Sequence, residues 1–255
     1  MIERLLRRFS GKWINLTSKN SMQRIYYPEF RSWYISSDHP LYHQITRVLR
    51  ARIGLEYILF SGDGSESFVT IDAIDRKWCS YTIEKTIKTL ANPTRYLRVI
   101  QALPNKFEKL EYVVEKWVEC GVSEFVFFPS KYSQIRSLDD KKIGRLQKIA
   151  MEAIEQCGRS DIVTLSLSSW IPILDEGKSL FLHTGEKNIH MGDVLREIEQ
   201  DQHITLLVGP EGWWSPDEVT LVASSTNGMG VNLGTRILRL ETVTPAIAFM
   251  LMNWY

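Results

Sequence analysis

The sequence has few of the residues that would point to a metal site, a disulfide scaffold or a membrane span. Its three cysteines, Cys79, Cys120 and Cys157, are an odd count at spacings that fit no metal motif. They read as reduced thiols, with none in a nucleophile motif. Five histidines are scattered singly, which argues against a metal cluster. No apolar run approaches the roughly 20 residues that a spanning helix needs. The N-terminus carries charges where a signal peptide would be apolar, so the expectation is a soluble, cytoplasmic protein with no membrane partner. Neither the dinucleotide fingerprint nor the P-loop pattern occurs, which disfavours a phosphorylated cofactor. There is no internal repeat and no low-complexity segment.

What is present suggests two parts. The 255-residue chain has a net charge of +1, but residues 1 to 52 hold 10 Lys and Arg against 3 Asp and Glu, and the remainder holds 21 against 27. A basic portion joined to a mildly acidic one suggests a polyanionic partner met by the N-terminal part, the alternative being a solvated basic surface. Residues 1–21 read as an extension, a basic arm or a stretch upstream of a start at Met22. From 22 to 90 the texture is short and β-like ("QRIYY", "SWYI", "EYILFSG", "SFVTIDAI", "CSYTIEKTI"), with one helical stretch, "HPLYHQITRVLR". This predicts a small, mostly antiparallel, barrel-like domain. After a linker, "TLANPT", strand and helix patterns alternate from 91 to 255. Phe107, Leu110, Val113, Val114, Trp117 and Val118 recur at helical spacing, as do Ile143, Leu146, Ile149, Ala150, Ala153, Ile154 and Cys157. Such alternation predicts an α/β domain with a parallel sheet covered by helices.

Two glycine-bearing turns follow strands of that second domain. In "LLVGPEGWWSPDEV", the apolar run Ile204 to Val208 has the texture of a strand buried on both faces. Ser215, Pro216 and Glu218 then form a capping box that starts a helix. The turn between them could be an ordinary strand-to-helix connection. It could equally be a ligand loop, since ligands of open α/β sheets sit beyond the carboxyl ends of the strands. The second turn is "NLGTRILRLETV", residues 232 to 243. Two backbone-rich turns at one sheet edge suit a ligand held by main-chain hydrogen bonds, such as an adenosine.

"GPEG" followed by an aromatic and Ser, together with "LG.RILR.ET", resembles the paired C-terminal signatures of the RsmE family of rRNA uridine N3-methyltransferases, in the SPOUT superfamily. "HQITRVLRARIG" with "FSGDG" is similar to that family's N-terminal PUA-like domain, and "EKWVECGV" and "EAIEQCGR" resemble two further segments. The resemblance runs from about residue 22 to the end. The chain departs from the family pattern at Trp213, where Gly is usual, and also at Val243 and Cys120.

The resemblance implies a C-terminal SPOUT-type domain knotted as a deep trefoil, a small N-terminal PUA-like β-barrel, and a homodimer. It also implies S-adenosyl-L-methionine as cofactor, 16S rRNA of the small ribosomal subunit as partner, and no metal. Carried onto this sequence, the cofactor residues are Leu207, Gly209, Pro210, Glu211 and Gly212 of the first turn, with Leu233, Gly234, Ile237, Leu238 and Thr242 of the second. Arg236, Arg239, Glu241 and Glu211 are the candidates for chemistry, an arginine stabilising an anion and Glu241 or Glu211 receiving a proton. Arg24, Arg47, Arg50, Arg52 and Arg159 are the candidates for RNA phosphates. A protein of this fold that binds RNA without turnover is the alternative from another class.

Overall fold

In the computed structural model the described residues are 22–29, 33–171, 177–185, 188–199, 202–224 and 228–254; the extension expected over 1–21 lies outside them. The first sheet has five strands, β1 (Gln23–Tyr26), β2 (Tyr34–Ser36), β3 (Glu56–Phe60), β4 (Ser65–Ile74) and β5 (Trp78–Lys88), in the order β1-β3-β4-β5-β2. β3 pairs antiparallel with β4, and β2 with β5. Ile35, Leu41, Ile45, Tyr57, Leu59, Val69, Ile71, Cys79 and Tyr81 form its core. The expected helix is α1 (Pro40–His43), which opens on Pro at its first turn with the His39 ring accepting the Leu41 N–H. It then widens into a π-type turn over Gln44–Val48, closed by Leu49 N–H to Gln44 O at 2.9 Å. The left-handed Arg50 (φ 51) follows.

The second sheet has seven strands, in the order β10-β12-β9-β11-β6-β7-β8, and its six neighbouring pairs are all parallel. They are β6 (Leu97–Ala102), β7 (Glu124–Phe128), β8 (Thr164–Leu167), β9 (Lys178–Leu182), β10 (Ile189–His190), β11 (Ile204–Val208) and β12 (Gly228–Asn232). Between and after them run α2 (Phe107–Glu119), α3 (Asp140–Cys157), α4 (Met191–Glu197), α5 (Pro216–Ala223) and α6 (Leu240–Asn253). β11 sits between β6 and β9 with all five residues buried, as its unbroken apolar run requires. On α2 the apolar stripe from Leu110 to Val118 is fully buried, and on α3 Leu146, Ala150, Ala153 and Ile154 face inward. Asp139 caps α3 by accepting the Lys142 N–H, and Gly158, left-handed, ends it. Trp117, Phe125 and Phe127 stack in the centre at 5.2 and 6.1 Å between ring centroids.

β6, β7 and β8 run outward in sequence to one side, and the chain then crosses to β9 on the far side of β11. The order therefore reverses beside β6, which places a crevice at the carboxyl ends of β6, β11, β9 and β12. β8 and β10 had no sequence signal. β8 is an exposed edge strand of Thr, Leu and Ser, and β10 has two exposed residues.

Candidate active site

A cavity of about 400 Å³ opens at that crevice. Its walls come from the segments that follow β9, β11 and β12, with Lys109 of α2 at one side. Parallel neighbours end at the same edge, so turns far apart in sequence meet there.

The first turn is shaped by its two tryptophans. Trp214 is buried, packs on Phe181 and Phe128 at 4.9 and 6.1 Å between centroids, and donates its indole N–H to Leu182 O at 3.0 Å. Gly209 must be glycine because a Cβ there would lie 2.9 Å from that indole. Trp213 closes the turn by donating its N–H to Pro210 O at 3.1 Å and does so with φ 68, in the left-handed region. The glycine geometry is therefore kept with a bulky side chain in it. The capping box forms as the sequence predicts: Ser215 Oγ accepts the Glu218 N–H, and the Glu218 carboxylate accepts the Ser215 N–H. Burial pushes the Glu218 carboxyl up, but hydrogen bonds from the backbone N–H groups of Ser215 and Lys131 outweigh it and hold the group below its ordinary value.

Gly209, Pro210, Glu211, Leu233, Gly234, Ile237 and Leu238 line the cavity. Gly234 is left-handed (φ 98), and a Cβ there would meet nothing. Three further expected cofactor residues do not line it. Leu207 is fully buried in the core behind the sheet edge, Gly212 lies against Tyr132, and Thr242 is exposed on α6.

Glu211, Arg236, Arg239 and Glu241 all reach the cavity. The two arginines are exposed and make no ion pair among the described residues. The two carboxylates meet on Lys109, whose ammonium lies 2.7 Å from Glu211 Oε1 and 3.5 Å from Glu241 Oε1. Glu211 Oε2 accepts the Asn105 N–H at 3.0 Å, so both of its oxygens are engaged. Glu241 Oε2 is buried with no hydrogen-bond partner among the described residues. A buried acceptor left unmatched costs about 1–3 kcal/mol, so Glu241 retains acceptor capacity that Glu211 has used. The Glu211 hydrogen bond, together with the charges of Glu211 and Glu241, pushes the Lys109 ammonium's pKa up, so it stays a cation. Lys109 is the residue that sequence reasoning missed; it sits on the polar side of α2, where nothing separates it from neighbouring lysines.

Arg159 corrects an expectation. It is 2% exposed, and its guanidinium is bound to the Asp161 carboxylate at 2.6 and 3.0 Å and to Val118 O and Val122 O at 2.9 and 2.8 Å. A buried, fully engaged guanidinium does not meet a phosphate. It ties the end of α2 to the segment after α3. Arg47, Arg50 and Arg52 are exposed between Gln44 and Arg52, whereas Arg24, on β1, is half-buried. No helix among the described residues is long and apolar enough to cross a membrane, and no group of three or more potential metal ligands occurs among them.

Residues 91–252 match a family model described as an RNA methyltransferase domain. The ribosomal RNA small subunit methyltransferase E of Rickettsia conorii is 28% identical, over 82% of this chain and 84% of that one. The protein of the same name from Bacillus subtilis is 29% identical, over 78% and 82%. A crystal structure of the Neisseria gonorrhoeae methyltransferase E bound to S-adenosyl methionine is similar in fold. Its TM-score is 0.74 at 24% identity, and the match covers 89% of this chain and 95% of that one.

Proposed function

Because the chain belongs to the RNA methyltransferase family, we propose that it transfers a methyl group from S-adenosyl-L-methionine to N3 of a uridine in 16S RNA of the small ribosomal subunit. The observation that carries this reading is the meeting, in one cavity, of two arginines with no ion pair among the described residues and an under-satisfied carboxylate, beside two backbone-rich turns.

The cavity suits such a cofactor. Its volume falls within the roughly 300–1,000 Å³ common for small-molecule sites. Val208, Val231 and Leu240 give it apolar walls for a purine face, while the turn backbone is placed for polar groups. The cofactor supplies a methyl group already activated on a sulfonium. What remains falls to the protein. Uracil N3 carries a proton and is a poor nucleophile until it leaves, after which negative charge spreads to the flanking carbonyl oxygens. Glu241 is the proton acceptor, since Glu211 is committed to Lys109 and Asn105. Arg236 or Arg239 stabilises the developing charge at a carbonyl oxygen, and the turns align the reactants. Glu241→Gln should lower kcat by about 10²–10⁴-fold with cofactor affinity retained. An unchanged kcat would remove Glu241 from this role.

The remaining features belong to the same reading. The five-stranded sheet with Arg47, Arg50 and Arg52 acts as a PUA-like RNA-binding domain, with Arg24 at its β1 edge. The parallel sheet carries a trefoil knot, and the active form is a homodimer in the cytoplasm. Single-stranded or distorted RNA is the preferred target, because the base must leave its stack to enter the cavity.

A further inference from the structure

Lys109 stands where helix physics does not want it. It is in the first turn of α2, where a cation opposes the helix dipole. Its side chain is 23% exposed, and its ammonium points at one carboxylate from each glycine-bearing turn. Glu211 follows β11, and Glu241 opens α6; each carboxylate reaches the Lys109 ammonium. Both lie on the same ammonium, so their oxygens are no further apart than the two Lys109 distances allow.

We propose that Lys109 is a positioning residue for methyl transfer: it clamps the two turns together through Glu211 and Glu241 and balances the charge of the carboxylate pair at the cavity. This rests on the reading of Glu241 as the proton acceptor. The Asn105 N–H, on the segment between β6 and α2, completes the clamp by fixing Glu211 from its other side. In this role Lys109 acts through Glu241. The charged groups that face its ammonium are these two carboxylates.

Without the ammonium, two carboxylates would share a partly buried site, and close carboxylates do not readily ionise together. Removing the Glu211 charge as well, by Glu211→Gln, would relieve that repulsion, while the amide oxygen introduced there could still accept the Asn105 N–H. A packing role for the lysine would give no such rescue.

The test is the pH profile of kcat/KM for methyl transfer to small ribosomal subunits by the wild type, Lys109→Met, Lys109→Arg and the double variant Lys109→Met with Glu211→Gln. It is run beside calorimetric titration of each protein with S-adenosyl-L-methionine. In Lys109→Met the acid limb should move up by about one pH unit or more. Lys109→Arg should leave it near the wild-type position, and the double variant should bring it most of the way back. If Lys109→Met has no measurable activity, recovery of activity in the double variant is the expected result. An unmoved acid limb, or a double variant no better than Lys109→Met, would overturn the proposal. A wild type with no transfer at all would instead overturn the methyltransferase reading on which it rests.

Discussion

Trp213 offers a test in which one backbone angle sets the sign. Its φ of 68 lies in the left-handed region, which costs an L-residue about 1–2 kcal/mol. Glycine escapes that cost but carries more unfolded-chain entropy, which offsets about 0.4–1 kcal/mol of the relief. Comparing Trp213→Gly with Trp213→Ala isolates the angle, because both variants lose the same exposed indole, 44% accessible at the cavity rim. At an ordinary position alanine would be the more stable of the two. Here the balance favours glycine by about 1 kcal/mol, or roughly 2–4 °C in Tm for a chain of this size. Thermal and urea unfolding of the two variants measures the difference. A Trp213→Ala protein as stable as Trp213→Gly, or more so, would refute the left-handed turn and with it the account of how the loop keeps its glycine geometry. Calorimetry with S-adenosyl-L-methionine on the same proteins reads the second consequence. Wild type should bind, because the indole lies along the cavity wall and leaves its volume open.

Four further outcomes follow from the geometry. Ser215→Ala should cost about 1 kcal/mol by removing the acceptor for the Glu218 N–H at the start of α5, as read by urea denaturation. The Glu218 carboxyl is held below its ordinary value of 4.5, so its contribution to stability is fully present above that pH and is lost as pH falls through the lower folded-state value. Unfolding free energy measured from about pH 6 down to about pH 3 should therefore fall less steeply in Glu218→Gln than in wild type, and equal slopes would contradict the hydrogen-bonded carboxylate. Arg159→Met should destabilise by about 3–5 kcal/mol, since it leaves the Asp161 carboxylate and two carbonyls without their donor, while leaving the salt dependence of RNA affinity unchanged. The triple change of Arg47, Arg50 and Arg52 to Gln should instead reduce the salt slope by about 2 with little loss of stability; an unchanged slope would place RNA elsewhere.

Much of this site was legible because its parts are local. The buried run of β11, the Ser215–Glu218 capping box and the apolar stripes of α2 and α3 follow from period and cap chemistry, and each appears where the spacing puts it. Arg236 and Arg239 were legible as a motif and lie open at the cavity. Other features depend on which residues the fold brings together. Lys109 is about a hundred residues from Glu211, and only the adjacency of β6 and β11 joins them. Arg159 resembles a phosphate ligand as one letter in a segment, yet the carbonyls ending α2 and the nearby Asp161 claim it. In the chain, Trp213 is a departure from the family pattern. In three dimensions the backbone takes the strain and the indole stays at the rim.

The most direct test of the central claim is incubation of the wild-type protein with small ribosomal subunits that lack base methylation and with S-adenosyl-L-methionine carrying a labelled methyl group. The 16S RNA is then digested to nucleosides and analysed by mass spectrometry against authentic standards. The account predicts label in 3-methyluridine, at one position, and its loss with Glu241→Gln. Label in a 2′-O-methyl nucleoside, or no label from a protein that binds the subunit, would contradict it.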